Sequence, residues 1–164
     1  MPADARRRRQ SDVWHSLFRI GVGIYWLYFA SQKWPAPLGV GPTHGIDWMQ
    51  PLMVRAAADN PLPFLHDLLT QLVVPNWQVF ALLQATGETV VAVLLILGIA
   101  TRPAALIATL LALNLSLTVA FTVSDAGVRW LYYLPALASF EVFVNGSGAL
   151  ALDRARWVPA WLRA

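Results

Sequence analysis

The chain has 164 residues, 57% of them hydrophobic and only 13% charged, with a mean hydropathy of +0.53. Soluble domains carry about 25% charged residues, so the composition argues against a water-soluble fold. The net charge is +3, but the basic residues sit at the ends of apolar segments, which is a helix-orientation pattern and not a phosphate-tracking patch, so no nucleic acid is expected. There is no cysteine, which excludes disulfides, iron–sulfur clusters and thiolate metal sites.

The first residues carry Arg6, Arg7, Arg8 and Arg9 ahead of an apolar stretch, with no small-residue cleavage site after them. This reads as an uncleaved signal anchor. The stretch itself predicts a first spanning helix over about residues 12–34. A long connection follows at residues 35–76, punctuated by seven prolines. Within it Phe64, Leu65, Leu68, Leu69, Leu72 and Val73 recur at helical spacing opposite His66, Asp67, Thr70 and Gln71. That pattern predicts a short amphipathic helix lying along the interface, with a weaker helical piece between Asp47 and Ala58.

Three further apolar segments predict spanning helices over about residues 77–100, 103–123 and 128–145. Pro103 suits a helix start. Pro135 lies inside the last segment, where neighbours must satisfy the carbonyl that it frees. Short connections force antiparallel neighbours, so the expected fold is all-α: a single membrane domain over residues 1–164, built as a four-transmembrane-helix antiparallel bundle with the interfacial helix in the outer loop. Counting basic residues places Arg6–Arg9, Arg19, Arg102, Arg154, Arg156 and Arg163 on one side and Lys33, Arg55 and Arg129 on the other. The positive-inside rule then puts both termini in the cytoplasm and the long loop outside the cell (inner) membrane.

Ionisable side chains at membrane depth cost at least about 2.5 kcal/mol, so each asks for a partner. Glu88 follows Gln84 by one turn in the second helix; Asn114 and Thr118 repeat that spacing in the third, and Glu141 and Asn145 in the fourth. In the first, Arg19, Gly23, Trp26, Ala30 and Lys33 form one stripe. The four polar faces are expected to turn toward a common axis. Estimated depths favour an Arg19–Glu141 ion pair, leaving Glu88 without an obvious fixed cation, either protonated or joined to Arg19 in a cluster. Lys33 and Arg102, at helix ends, are expected to snorkel to the interface. Plain interhelical glue, at about 0.6 kcal/mol per hydrogen bond, is the competing explanation for Gln84, Asn114 and Thr118. Gly21, Gly23, Gly87 and Gly98 read as close-packing positions. No helix core contains a histidine, so no transmembrane haem is expected. His44, Asp47, His66 and Asp67 match no metal-site signature, and no metal is expected.

Three stretches carry a family likeness: Arg19 through Lys33; Gly87-Glu88 with Leu97-Gly98 and Thr101-Arg102; and the glycine-rich run from Gly146 to Asp153. Taken in order, the chain resembles the DoxX/DoxD family of four-helix membrane proteins, differing at Ala30, Ser147 and Ala151. The resemblance implies a membrane subunit of a redox complex, similar to the thiosulfate:quinone oxidoreductase subunit, with a second protein subunit at the outer face. It implies a quinone taking electrons from sulfur or thiol compounds, with Arg19, Glu88 and Glu141 as the acting residues and Trp26, Gln84, Asn114 and Thr118 around the cofactor. The rival expectations are a non-catalytic scaffold that docks a partner through the outer loop, and a small carrier. A homo-oligomer is compatible with either.

Overall fold

The computed structural model describes residues 3–37, 39 and 45–154, with side chains from Ser11 to Asp153. All regular structure among the described residues is helical. Four long helices form the body: α1 (Ala3–Ser31), α4 (Trp77–Leu97), α5 (Thr101–Leu117, extended by a 3-10 turn at Val119–Thr122) and α6 (Ala126–Asn145). Two short ones lie in the long connection: α2 (Met49–Ala58) and α3 (Pro63–Leu68), the latter running on into a π turn at Leu69–Val73. By length and composition, α4 and the Thr101–Thr122 segment are long and apolar enough to cross a membrane.

Residue pairs fix the packing. Trp34 meets Thr89 and Arg19 meets Leu95, so α1 runs antiparallel to α4. Gly23 allows their close approach: a Cβ there would lie 3.1 Å from the Ala92 carbonyl. Tyr25 reaches Leu131 and Trp26 reaches Ser139, which sets α1 against α6. Ser116 donates to the Tyr132 carbonyl at 2.7 Å, joining α5 to α6. The α5 seam is alanine: Ala104, Ala105, Ala108 and Ala112 are fully buried, because only small side chains let backbones approach where van der Waals packing holds helices together. Large apolar residues such as Ile24, Leu83, Leu110 and Leu137 point outward and are exposed. Such a surface suits lipid and not water.

Local chemistry ends and starts each helix. Gly98 takes a left-handed conformation (φ 67°) and closes α4, its amide donating to the Leu94 carbonyl at 2.8 Å. Asp125 caps α6 by accepting from the Val128 amide at 2.9 Å. Pro135 removes the donor that Leu131 would have received, and the Tyr25 hydroxyl donates to that same Leu131 carbonyl at 2.9 Å. The neighbour requirement stated for Pro135 is thereby met by α1.

The connection between α1 and α4 differs from the expected single amphipathic helix. The stretch before it, expected to be the weaker piece, forms the longer helix α2, while residues 63–73 divide between α3 and the π turn. Their apolar face divides too. Leu65, Leu69 and Val73 turn inward, whereas Phe64, Leu68 and Leu72 are exposed. Asn60 holds this cap to α5: its amide donates to the Leu117 carbonyl at 2.9 Å, and its oxygen accepts from the Leu62 amide at 3.0 Å. His66 Nδ1 lies 2.7 Å from the Ala57 carbonyl and ties α3 to α2. The side chains of Arg6–Arg9 and Arg154, together with Arg156, Arg163 and His44, lie outside the described residues.

Candidate functional site

The polar stripe of α1 does not meet a common cluster. It serves two clusters at opposite ends of the bundle, with Arg19 in one and Lys33 in the other, about 20 Å further along at ~1.5 Å per residue.

Near the turn from α4 to α5, Arg19 is fully buried. Its guanidinium donates to the carbonyls of Leu95 and Ile96 at the end of α4 and of Leu150 in the segment after α6. The last carbonyls of a helix have no intrahelical donor and carry the negative end of its dipole, which suits a cation. Nε has no hydrogen-bond partner among the described residues. The expected Arg19–Glu141 pair does not form. Glu141 is partly exposed, contacts His15 Nδ1 at 3.2 Å and accepts from Asn145 at 2.9 Å. His15 lies one turn before Arg19 and faces α6, while Arg19 itself points at α4; depth alone could not separate those directions.

The segment after α6 closes this end. Its Ala149 amide donates to the Asp12 carbonyl at 3.0 Å, and its Leu150 amide donates to Ser16 Oγ at 2.8 Å. Gly148 (φ 71°) sits so near α1 that a Cβ would lie 2.7 Å from the Asp12 carbonyl oxygen. Asp153 then supplies the first turn of α5, accepting from the amides of Ala100 at 2.7 Å and Thr101 at 3.1 Å and from the Thr101 hydroxyl at 2.9 Å. These groups fill the space around the turn from α4 to α5 with polar contacts.

The half of the bundle beside α2 and α3 holds a cavity of about 440 Å³, within the ordinary range for small-molecule sites. Its walls include Tyr25, Trp26, Phe29, Trp48 and Phe80. Lys33 and Glu88 line it as well, and both are buried. Lys33 Nζ donates to Glu88 Oε2 at 2.6 Å and to the Phe29 carbonyl at 3.1 Å, and stands 5.8 Å from the Trp48 ring centroid. The other carboxylate oxygen accepts from Gln84 Nε2 at 2.7 Å. This corrects two expectations: Glu88 has a fixed cation, and Lys33 does not snorkel. Lys33 follows the last turn of α1, but that turn ends beside the middle of α4, and α2 and α3 fold over it. The Lys33 side chain is therefore buried, although Pro35 to Pro37 just after it are exposed.

Of the expected cofactor residues, Trp26, Gln84, Asn114 and Thr118 all border the cavity, and Arg19 and Glu141 do not. Trp26 Nε1 is already committed to Ser139 Oγ at 3.2 Å, and Thr118 Oγ1 to the Asn114 carbonyl at 2.6 Å. Lys33, Trp48 and Phe80 also line the cavity, and the sequence reading did not name them for the candidate site. The one available signal for Lys33 was its place on the α1 stripe.

Chemically, the cavity offers an ammonium donor, a carboxylate and an amide on an otherwise apolar, aromatic surface. That combination is chemically suited to a flat or apolar molecule carrying a hydrogen-bond acceptor. A family model described as DoxX matches residues 15–122 of the chain. No curated protein matches the chain. No solved structure matches it.

Proposed function

Since the chain belongs to the DoxX family, a family of membrane proteins, we propose that it is the membrane subunit of a redox complex that binds a quinone in the cavity beside α2 and α3. In this reading all four long helices span the bilayer, both termini are cytoplasmic, and a partner subunit at the outer face delivers electrons from a sulfur or thiol compound. One observation carries it: a buried Lys33–Glu88–Gln84 cluster borders an aromatic cavity of about 440 Å³ beside the middle of α4.

Reducing a quinone to a quinol takes two electrons and two protons. Lys33 would donate a hydrogen bond to a ring oxygen, favouring negative charge there as electrons arrive. Glu88, within hydrogen-bond reach of Lys33, is placed to hold or pass a proton. Gln84 fixes the carboxylate's orientation, and the aromatic walls exclude water from it. Arg19 and Glu141 have no part in this chemistry.

Extraction of lipid-soluble cofactors from the protein purified with its native lipids tests the assignment. Quinone is expected in the wild type and depleted in Lys33→Met, and its absence from both would defeat the assignment. Topology is testable separately, because the natural chain has no cysteine. Asp59→Cys and Ser124→Cys should react with an impermeant thiol reagent from outside, and Ser11→Cys only after permeabilisation.

A second reading, a scaffold docking a partner through the outer loop, is favoured by Phe64 (75% exposed) with Leu68 and Leu72 on successive turns. Under it, Phe64→Ser with Leu72→Ser abolishes partner capture and leaves bound quinone unchanged.

A further inference from the structure

Asn114 bears on how a ligand reaches the cavity. It belongs to the segment Thr101–Thr122, long and apolar enough to cross a membrane, and is exposed on the helix surface. Among the described residues its side-chain amide has no hydrogen-bond partner, although its carbonyl accepts from Thr118. Polar side chains at membrane depth ordinarily face a bundle interior or a cavity. Asn114 does border the cavity, so it stands where that space meets the lipid-facing surface.

Its direction follows from its neighbours. Leu111, one turn inward, packs 3.4 Å from the position of a Cβ on Gly87 of α4. On the turns of α4 further out, Gln84 and Phe80 border the same cavity. Asn114 is therefore at the outward edge of the groove between α4 and α5. Leu68, in the cap above, both borders the cavity and is 38% exposed. The rim is one amide among apolar side chains, which suits acyl chains better than bulk water. Leu131 on α6 also borders the cavity and is exposed, but there the Tyr25–Leu131 hydrogen bond ties α1 to α6 across the groove.

We propose, resting on the quinone assignment of the cavity, that the α4–α5 groove at Asn114 is a lateral mouth. A ligand with a carbonyl-bearing ring and a long apolar tail enters head first from the leaflet on the loop side. The Asn114 amide donates to the ring carbonyl as it passes, and the tail stays outside along α4 and α5. The cavity thus selects a tailed, membrane-dissolved quinone over a water-soluble one with the same ring.

Two photoreactive probes of a decyl benzoquinone test this in the full-length protein in nanodiscs, one with the azide on the ring and one at the tail's end. The ring probe should label Trp48 or Phe80, and the tail probe Leu83 and Leu110, which are exposed on either side of the groove; excess unlabelled quinone should suppress both. Asn114→Trp should slow ring labelling by about tenfold, since lid and portal steps gate ligand entry, while Asn114→Gln stays near the wild-type rate. Tail adducts at Leu131 or Tyr28, or on the outer loop, would overturn the mouth and leave the quinone assignment standing. Failure of the ring probe to label the cavity would overturn both.

Discussion

Lys33 and Glu88 lie 55 positions apart in the chain and meet at 2.6 Å inside the bundle, both buried and both bordering the cavity. Burying two charges costs several kcal/mol per ion, and mutual attraction offsets this only when the remaining donors and acceptors are also engaged. Here Gln84 and the Phe29 carbonyl take that part.

Removing one partner leaves the other charge uncompensated. Lys33→Met or Glu88→Leu alone should therefore destabilise by about 3–5 kcal/mol, and the double substitution should recover most of the loss. Thermal unfolding in detergent, read as a double-mutant cycle, checks this. Additive losses would show that the pair is not coupled.

Where α4 turns into α5, Asp153 satisfies donors at the start of α5, and Gly148 lets the last described segment lie against α1. Asp153→Ala should cost about 1–2 kcal/mol, as loss of a helix cap does. Gly148→Ala should release the segment, and hydrogen exchange at the amides of Ala149 and Leu150 should rise in that variant. Unchanged exchange would contradict the docking.

The Tyr25 hydroxyl serves the carbonyl that Pro135 leaves without a donor. Tyr25→Phe should cost about 1 kcal/mol, the net contribution of an ordinary hydrogen bond. In a Pro135→Ala background a backbone N–H is restored, so the same substitution should cost clearly less. Equal costs in both backgrounds would separate Tyr25 from the proline.

The helices were legible because apolar length and proline positions dictate them. Residues 77–100 were expected to be helical and Trp77–Leu97 is; residues 128–145 were expected and Ala126–Asn145 is found. The site was legible only in part. Glu88, Gln84 and Trp26 could be read from spacing, since polar groups at membrane depth demand a buried face. Lys33 could not, because its environment depends on α2 and α3 folding over the end of α1, a long-range event with no local signal. Arg19 was given the wrong partner because its acceptors are backbone carbonyls, which every residue has and no sequence pattern marks. The run from Gly146 to Asp153 lies beyond the family match at residues 15–122. Its expected likeness to the family is no part of that match, and its physical role appears only when it is seen against Ser16, Arg19 and the start of α5.

The most direct test of the central claim is equilibrium binding of decyl benzoquinone to the protein in nanodiscs, comparing wild type, Lys33→Met, Glu88→Gln and Glu141→Gln. Saturable binding is expected in the wild type and in Glu141→Gln, with at least about a tenfold loss of affinity in the other two, the effect of ~1.4 kcal/mol. Equal affinity in all four proteins, or a loss confined to Glu141→Gln, would contradict a site built on Lys33 and Glu88.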